Sequence, residues 1–266
     1  KLAAAAGYAD PAATAEELYE FERKIAERQW ARQIFRIPTI TYNALSLEEL
    51  RELAGDFPID AMLEAGGFAG ETRFLAPQIP PTGEDSEAAG LTEALLAMIG
   101  GGLPAMMELL TETPIETIKA HMKLRFLGSN ADILSSELDD ANFEMFGRTI
   151  NGLEEQQPRW KRAISHVEGA LGEQLGAIYV ERFFPPTSKA RMDELVANLS
   201  RAMTLALDEN EWMTPATLTE ARTKLEGFVP MIGYPDEFET YDGLAIGNDP
   251  LANRMSAANW NNKDNL

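Results

Sequence analysis

RWKRAISHVEGALGEQLGAIYVER, residues 159–182, decides the fold class. Within it Trp160, Ile164, Val167, Leu171, Leu175, Ile178 and Arg182 step by four, three, four, four, three and four. That spacing traces one continuous face of a long amphipathic helix. Phe183-Phe184-Pro185-Pro186 ends the run, and Met192, Leu195, Leu199, Met203 and Ala206 repeat the period. Thr214-Pro215 places a capping hydroxyl before a proline suited to the first helical position, and Leu218, Ala221, Leu225 and Phe228 follow on one side. Three such helices with short connections are expected to pack as neighbours.

Upstream the pattern is also helical. Asp10-Pro11 is a cap-and-proline start, and Leu18, Phe21 and Ile25 run toward Trp30, with Pro38 expected to end that helix and Ile37 to be extended. Ser46-Leu47-Glu48-Glu49 is a capping box opening a short helix, with a further one after Pro58. Residues 66–90 hold Gly66, Gly67, Gly70, Pro77, Pro80, Pro81, Gly83 and Gly90, which reads as a mobile loop or insertion. Helical pattern resumes at Leu91 and stops at Gly100-Gly101-Gly102, read as a helix-ending hinge. Thr113-Pro114-Ile115-Glu116 reads as a second capping box, opening a helix with Ile115, Ile118, Met122 and Leu127 on its face. Residues 246–266, rich in Asn and Asp, have no periodicity and read as a tail. The fold class is therefore all-α: a multi-helix lobe over 1–266 with one long amphipathic helix and a Gly/Pro-rich connection.

Composition excludes several functions. The formal charge is −20, which repels phosphate backbones, so no nucleic-acid partner is expected. No apolar run reaches the length of a membrane span. Lys1 is not an initiator methionine, so the chain reads as a mature product or a piece of a longer one. There is no cysteine, and His121 and His166 are the two histidines. They lie far apart, whereas a catalytic zinc site commonly takes three protein ligands, His foremost.

Each remaining candidate has a plainer reading. Glu52 and Asp56 match a Glu-x-x-x-Asp zinc segment but have no paired-histidine helix to complete. Gly100-Gly101-Gly102 lacks the Lys-Ser or Lys-Thr of a phosphate loop. Ser165 and His166 are adjacent on a helix and so point about 100° apart. His121, among Lys119, Lys123 and Arg125, reads as part of a solvated basic face. The sequon Asn198-Leu199-Ser200 falls inside a helix and reads as accidental, and Arg159-Trp160-Lys161-Arg162 reads as a structural helix start.

One ordered series of motifs resembles a known family. Gly147 to Gly152 leads into Gln157-Pro158-Arg159-Trp160-Lys161-Arg162, then Leu171-Gly172-Glu173-Gln174-Leu175-Gly176 and Tyr179-Val180-Glu181-Arg182-Phe183-Phe184-Pro185. Trp212-Met213-Thr214, Ala221-Arg222-Thr223-Lys224-Leu225 and Ile232-Gly233-Tyr234-Pro235-Asp236 follow, and Trp30-Ala31-Arg32 and Thr41-Tyr42-Asn43 precede them. This order is similar to the N-terminal, non-catalytic helical region of the neprilysin-like zinc metalloendopeptidases. The resemblance implies a longer parent protein whose zinc motif lies beyond this region. It therefore assigns no catalytic, cofactor-binding or metal-ligating residue here. It implies zinc in the parent and none on this chain. The expected partners are the catalytic lobe of the same polypeptide and short peptide substrates, with this lobe capping the active-site cavity. The tail at 246–266 would lead toward the catalytic lobe. The resemblance implies a periplasmic or secreted location, with a cytoplasmic one open. Tyr234-Pro235 reads as a turn, with Gly233 suited to positive φ at a helix end. The alternative is a stand-alone helical binding or scaffold protein without catalysis.

Overall fold

The structure, a computed structural model, describes residues 1–264. It is mainly helical and divides into two compact units, residues 1–154 and residues 155 onward.

The first unit is built around α2 (Pro11–Arg28), which follows a short α1 (Leu2–Ala5). Asp10 caps α2 by accepting the Ala13 N–H at 3.0 Å, and Leu18 and Phe21 are its buried face. The helix stops at Arg28. Gln29 is extended, and Trp30 lies beyond the helix. Pro38 does not end a helix. It opens the short α3 (Pro38–Thr41), because its fixed φ suits a first turn, while Ile37 before it is extended as expected.

Strand β1 (Ala44–Ser46) pairs antiparallel with β2 (Arg73–Leu75), joining Leu45 to Phe74. Between them lie α4 (Leu47–Ala54) and α5 (Ile59–Ala65). The Ser46 capping box forms in both directions: the hydroxyl accepts Glu49 N–H at 3.2 Å, and the Glu49 carboxylate accepts Ser46 N–H at 2.7 Å. The Gly/Pro-rich stretch thus carries β2 and also α6 (Gly83–Ala88), opened by a capping box of Thr82 and Asp85. A single turn, α7 (Glu93–Leu96), precedes α8 (Gly102–Glu112). Leu50, Ala54, Ile59, Leu63 and Met107 form one core cluster; Trp30, Ile34 and Ile40 form another.

Gly100-Gly101-Gly102 begins a helix rather than ending one, because three segments cross there. The Trp30 indole N–H donates to Gly100 O at 3.1 Å, and Leu103 N–H donates to Gln78 O at 2.8 Å. A Cβ on Gly102 would lie 2.0 Å from that Gln78 oxygen.

Helix α9 (Ile115–Ser129) also departs from expectation. Thr113 does not cap it. Its hydroxyl donates back to Leu109 O at 2.6 Å, in the preceding helix. Ile115 and Met122 are exposed, and the buried residue of α9 is Thr117, which bonds Glu17 across to α2. α10 (Ser136–Asn142) and a wide-turn π-helix, Phe143–Ile150, complete the unit.

The second unit holds α11 (Arg159–Phe183), α12 (Pro186–Asp208), α13 (Pro215–Glu226) and α14 (Pro250–Asp264). Thr214 caps α13 as its sequence predicts, accepting Thr217 N–H at 3.2 Å. α12 packs on α13 and α11 on α14. The periodic face of α11 is not carried by one continuous helix. Leu171 sits at φ −135°, ψ 40°, outside helical geometry. The aperiodic tail contains a helix: Asp249 caps α14 by accepting the N–H groups of Leu251 and Ala252, ahead of Pro250 at the first turn. Asn265 and Leu266, the last residues of that tail, lie outside the described residues.

Candidate functional site

The second unit displays the apolar faces that its sequence pattern specifies for burial. On α11, Trp160, Ile164, Val167 and Ile178 are exposed, and no residue of that helix is buried. On α12, Met192, Leu195, Leu199 and Met203, the periodic series itself, are exposed, with Leu199 at 60%. Beyond α13, Phe228, Val229 and Met231 stand out, Met231 at 92%, and Trp212 before α13 is 78% exposed. Single exposed apolar residues are ordinary, but periodic rows of them on successive helices make this unit the candidate for an interaction surface.

The loop after α13 is tied to the start of α12. Lys189 Nζ donates to Tyr234 O at 2.9 Å and to Ile232 O at 3.4 Å, and lies 4.8 Å from the Tyr234 ring centroid. Phe184 meets the Tyr234 ring edge-on at 5.8 Å, and Phe238 stacks on that ring at 6.2 Å. Gly233 has φ +75°, and a Cβ there would lie 3.1 Å from Phe184. Its positive φ is as expected, but α13 ends at Glu226, so Gly233 serves this aromatic turn and not a helix end. Neither Lys189 nor the apolar run Phe228-Val229-Pro230-Met231 stands out by motif. The run is visible as four successive residues without charge, directly after Gly227.

The chemical candidates do not assemble. Glu52 and Asp56 are both exposed. Ser165 donates to Lys161 O at 3.4 Å, while His166 Nδ1 faces Arg254 Nη2 at 2.9 Å, so serine and histidine have separate partners. His121 is not on a solvated basic face. Its Nε2 lies 3.2 Å from Glu22 and its ring meets Phe21 edge-on at 5.2 Å, between α9 and α2. In the sequon, Asn198 accepts from Arg201 within α12. In the basic cluster Lys161 covers the Trp160 ring, 5.5 Å from its centroid.

Two clefts open in the first unit. One, of about 240 Å³, is lined by Leu47, Arg51, Asp60, Leu63, Glu64 and Phe68. Arg51 holds Asp60 through paired hydrogen bonds, which keep the Asp60 carboxyl below its usual range. The other, of about 340 Å³, lies among Glu17, Glu20, Lys24, Glu112 and Thr117. The Glu20 carboxyl is likewise lowered, by hydrogen bonding from Arg23. Both arrangements are ion pairs on a surface. Among the described residues no three His, Asp or Glu side chains come together in a way that could hold a metal ion.

The profile of Peptidase family M13 matches residues 1–235. The chain belongs to that family. Among its relatives, Neprilysin-2 of Drosophila melanogaster is 31% identical over 171 residues, covering 59% of this chain and 22% of that protein. The neutral endopeptidase of Lactobacillus helveticus is 29% identical over 140 residues, covering 52% of this chain and 22% of that protein. Among solved structures, zinc metalloprotease ZMP1 of Mycobacterium tuberculosis with an inhibitor superposes with a TM-score of 0.75 at 29% identity, over 95% of this chain and 36% of that one. PepO of a Lactobacillus shares the fold at 21% identity, with a TM-score of 0.75 over 97% of this chain and 39% of that one. This M13 chain thus spans well under half the length of the relatives and structures it matches.

Proposed function

We propose that this chain is the non-catalytic helical region of a neprilysin-like zinc metalloendopeptidase. The peptide-cleaving lobe of the same polypeptide would hold the zinc, and the chemistry it would supply there is Lewis-acid polarisation of the scissile carbonyl and activation of water. This chain supplies no ligand and no proton-transfer group. It acts as wall and cover, limiting access to short peptides, and is inactive by itself. On this reading the parent protein is periplasmic or secreted, with a cytoplasmic location as the alternative.

The observation that carries the reading is the exposure of the periodic apolar rows on α11 and α12 together with Trp212 and Met231. Burying such rows is the main favourable term in association, at roughly 25 cal/mol per Å² of apolar surface removed from water. The partner that buries them belongs to the same polypeptide, as M13 membership and the short span of the matches suggest. Hydroxyl-radical footprinting of the isolated chain and of the whole protein tests this. Oxidation of Trp160, Leu199 and Met231 is expected to fall in the whole protein. Equal oxidation in both would overturn it.

A further inference from the structure

Helix α11 carries a helical period that runs through Leu171 without interruption, yet its backbone breaks at that residue. A break inside a helix frees amide groups that must find other partners. Here a distant segment provides them. Glu173 N–H donates to the Tyr241 hydroxyl at 3.3 Å, Glu239 N–H donates to the Glu173 carboxylate at 2.7 Å, and the Gln174 side chain donates to Glu239 O. The arrangement is a reciprocal cap built across more than sixty residues, Glu173 to Tyr241 being separated by 68.

The strap that supplies it is itself strained. Tyr241 has φ +56°, a left-handed conformation that costs an L-residue energy and persists only where its surroundings impose it. What imposes it is α14: the Tyr241 ring packs on Trp260 with centroids 4.8 Å apart, and Trp260 Nε1 donates to Asp242 O at 3.0 Å. Space around the break is free, because a Cβ on Gly169, Gly172 or Gly176 would meet nothing within 4 Å.

We propose that the segment Glu239–Tyr241 is a latch, anchored on α14, that holds α11 broken at Leu171. With the latch released, α11 closes into one continuous helix, in which Glu173 N–H bonds the carbonyl of Gly169 four residues back. The break changes how Trp160, Ile164 and Val167 are turned relative to Ile178 on the other half. The latch therefore sets the register of the apolar row on α11. Elements with two nearly balanced packings are the usual basis of conformational switches.

Paired spin labels test this in the full 266-residue chain, which has no cysteine of its own. Labels at Glu168 and Glu181, both exposed, span the break. A continuous helix would place those backbone positions about 20 Å apart. The latched chain is expected to depart from the continuous-helix reference. Tyr241→Phe, which keeps the ring on Trp260, and Glu173→Ala, which removes the acceptor of Glu239 N–H, are each expected to shift the distance to that reference with a narrow distribution. The Glu173 amide should then exchange no faster than before. An unchanged distance in both variants would overturn the proposal. So would a broadened distribution with faster Glu173 exchange, since the strap would then be capping an intrinsic break and not holding one open.

Discussion

Replacing Gly102 with alanine probes the crossing of Trp30, Gln78 and Gly100. Gly102 has φ +63°, and the added Cβ would lie 2.0 Å from Gln78 O, 2.9 Å from its carbonyl carbon and 3.0 Å from Trp30 Nε1. The left-handed conformation alone costs alanine about 1–2 kcal/mol. Relieving the collision means moving the Gln78 backbone, itself at φ +61°, which breaks its bond from Leu103 N–H. It also loosens the bonds from Trp30 N–H to the Gln78 side chain and from the Trp30 indole to Gly100 O. With about 1 kcal/mol for the broken bond and about 0.5 kcal/mol for each of the two loosened ones, Gly102→Ala costs roughly 3–4 kcal/mol. Gly152 is the control in the same unit: its φ is +68°, and a Cβ there would meet nothing within 4 Å. Gly152→Ala should cost only the conformational part. With a urea slope of about 2 kcal/mol per molar, the two midpoints should differ by about 1 M. Urea unfolding followed by far-ultraviolet circular dichroism measures both. Equal midpoints would refute the reasoning, because the crossing would then impose nothing beyond φ.

Ile34, fully buried at 0% exposure beside Trp30 and Ile40, should cost about 2–5 kcal/mol when replaced by alanine, read by the same unfolding curves. The Glu49 carboxyl is held below its usual range by the Ser46 backbone N–H and then by its hydroxyl. Its folded pKa is therefore depressed, so its stabilisation is present above the unfolded value of about 4.3 and is lost as pH falls through the folded one. Glu49→Gln should flatten that acid limb of the stability–pH curve and leave the neutral limb parallel to the parent. Lys189→Met removes the ammonium that binds two carbonyls of the aromatic turn. Amide exchange over residues 232–236 should rise by about tenfold, since a hydrogen bond to a charged group is worth about 1.5 kcal/mol or more.

The elements that local chemistry determines are legible in the sequence. Asp10, Ser46 and Thr214 cap helices where their spacing to the next amides predicts it. The all-α class follows from the periodic rows of α11 to α13. Burial is less legible. A period identifies an apolar face but not what covers it, and Leu195 and Leu199 are exposed although their spacing equals that of core residues. Ile115 and Met122 fail for the same reason, while the neighbouring Thr117 is buried because Glu17 on α2 accepts its hydroxyl. Thr113 misleads because a threonine hydroxyl can bond backward as well as forward, and here it turns to Leu109 O. α14 was hidden because Asp249-Pro250 is a start signal with no apolar period after it. The roles of Gly102 and Tyr241 depend on Gln78 and Glu173, distant residues that no local pattern connects.

The assignment of roles is tested most directly by measuring zinc stoichiometry and peptide hydrolysis on two samples: this chain, shown by circular dichroism to be helical, and the whole protein that carries it. The whole protein is expected to bind zinc tightly and to cleave short peptides in a chelator-sensitive way, while the chain alone does neither. Stoichiometric zinc and chelator-sensitive cleavage by the chain alone would contradict it.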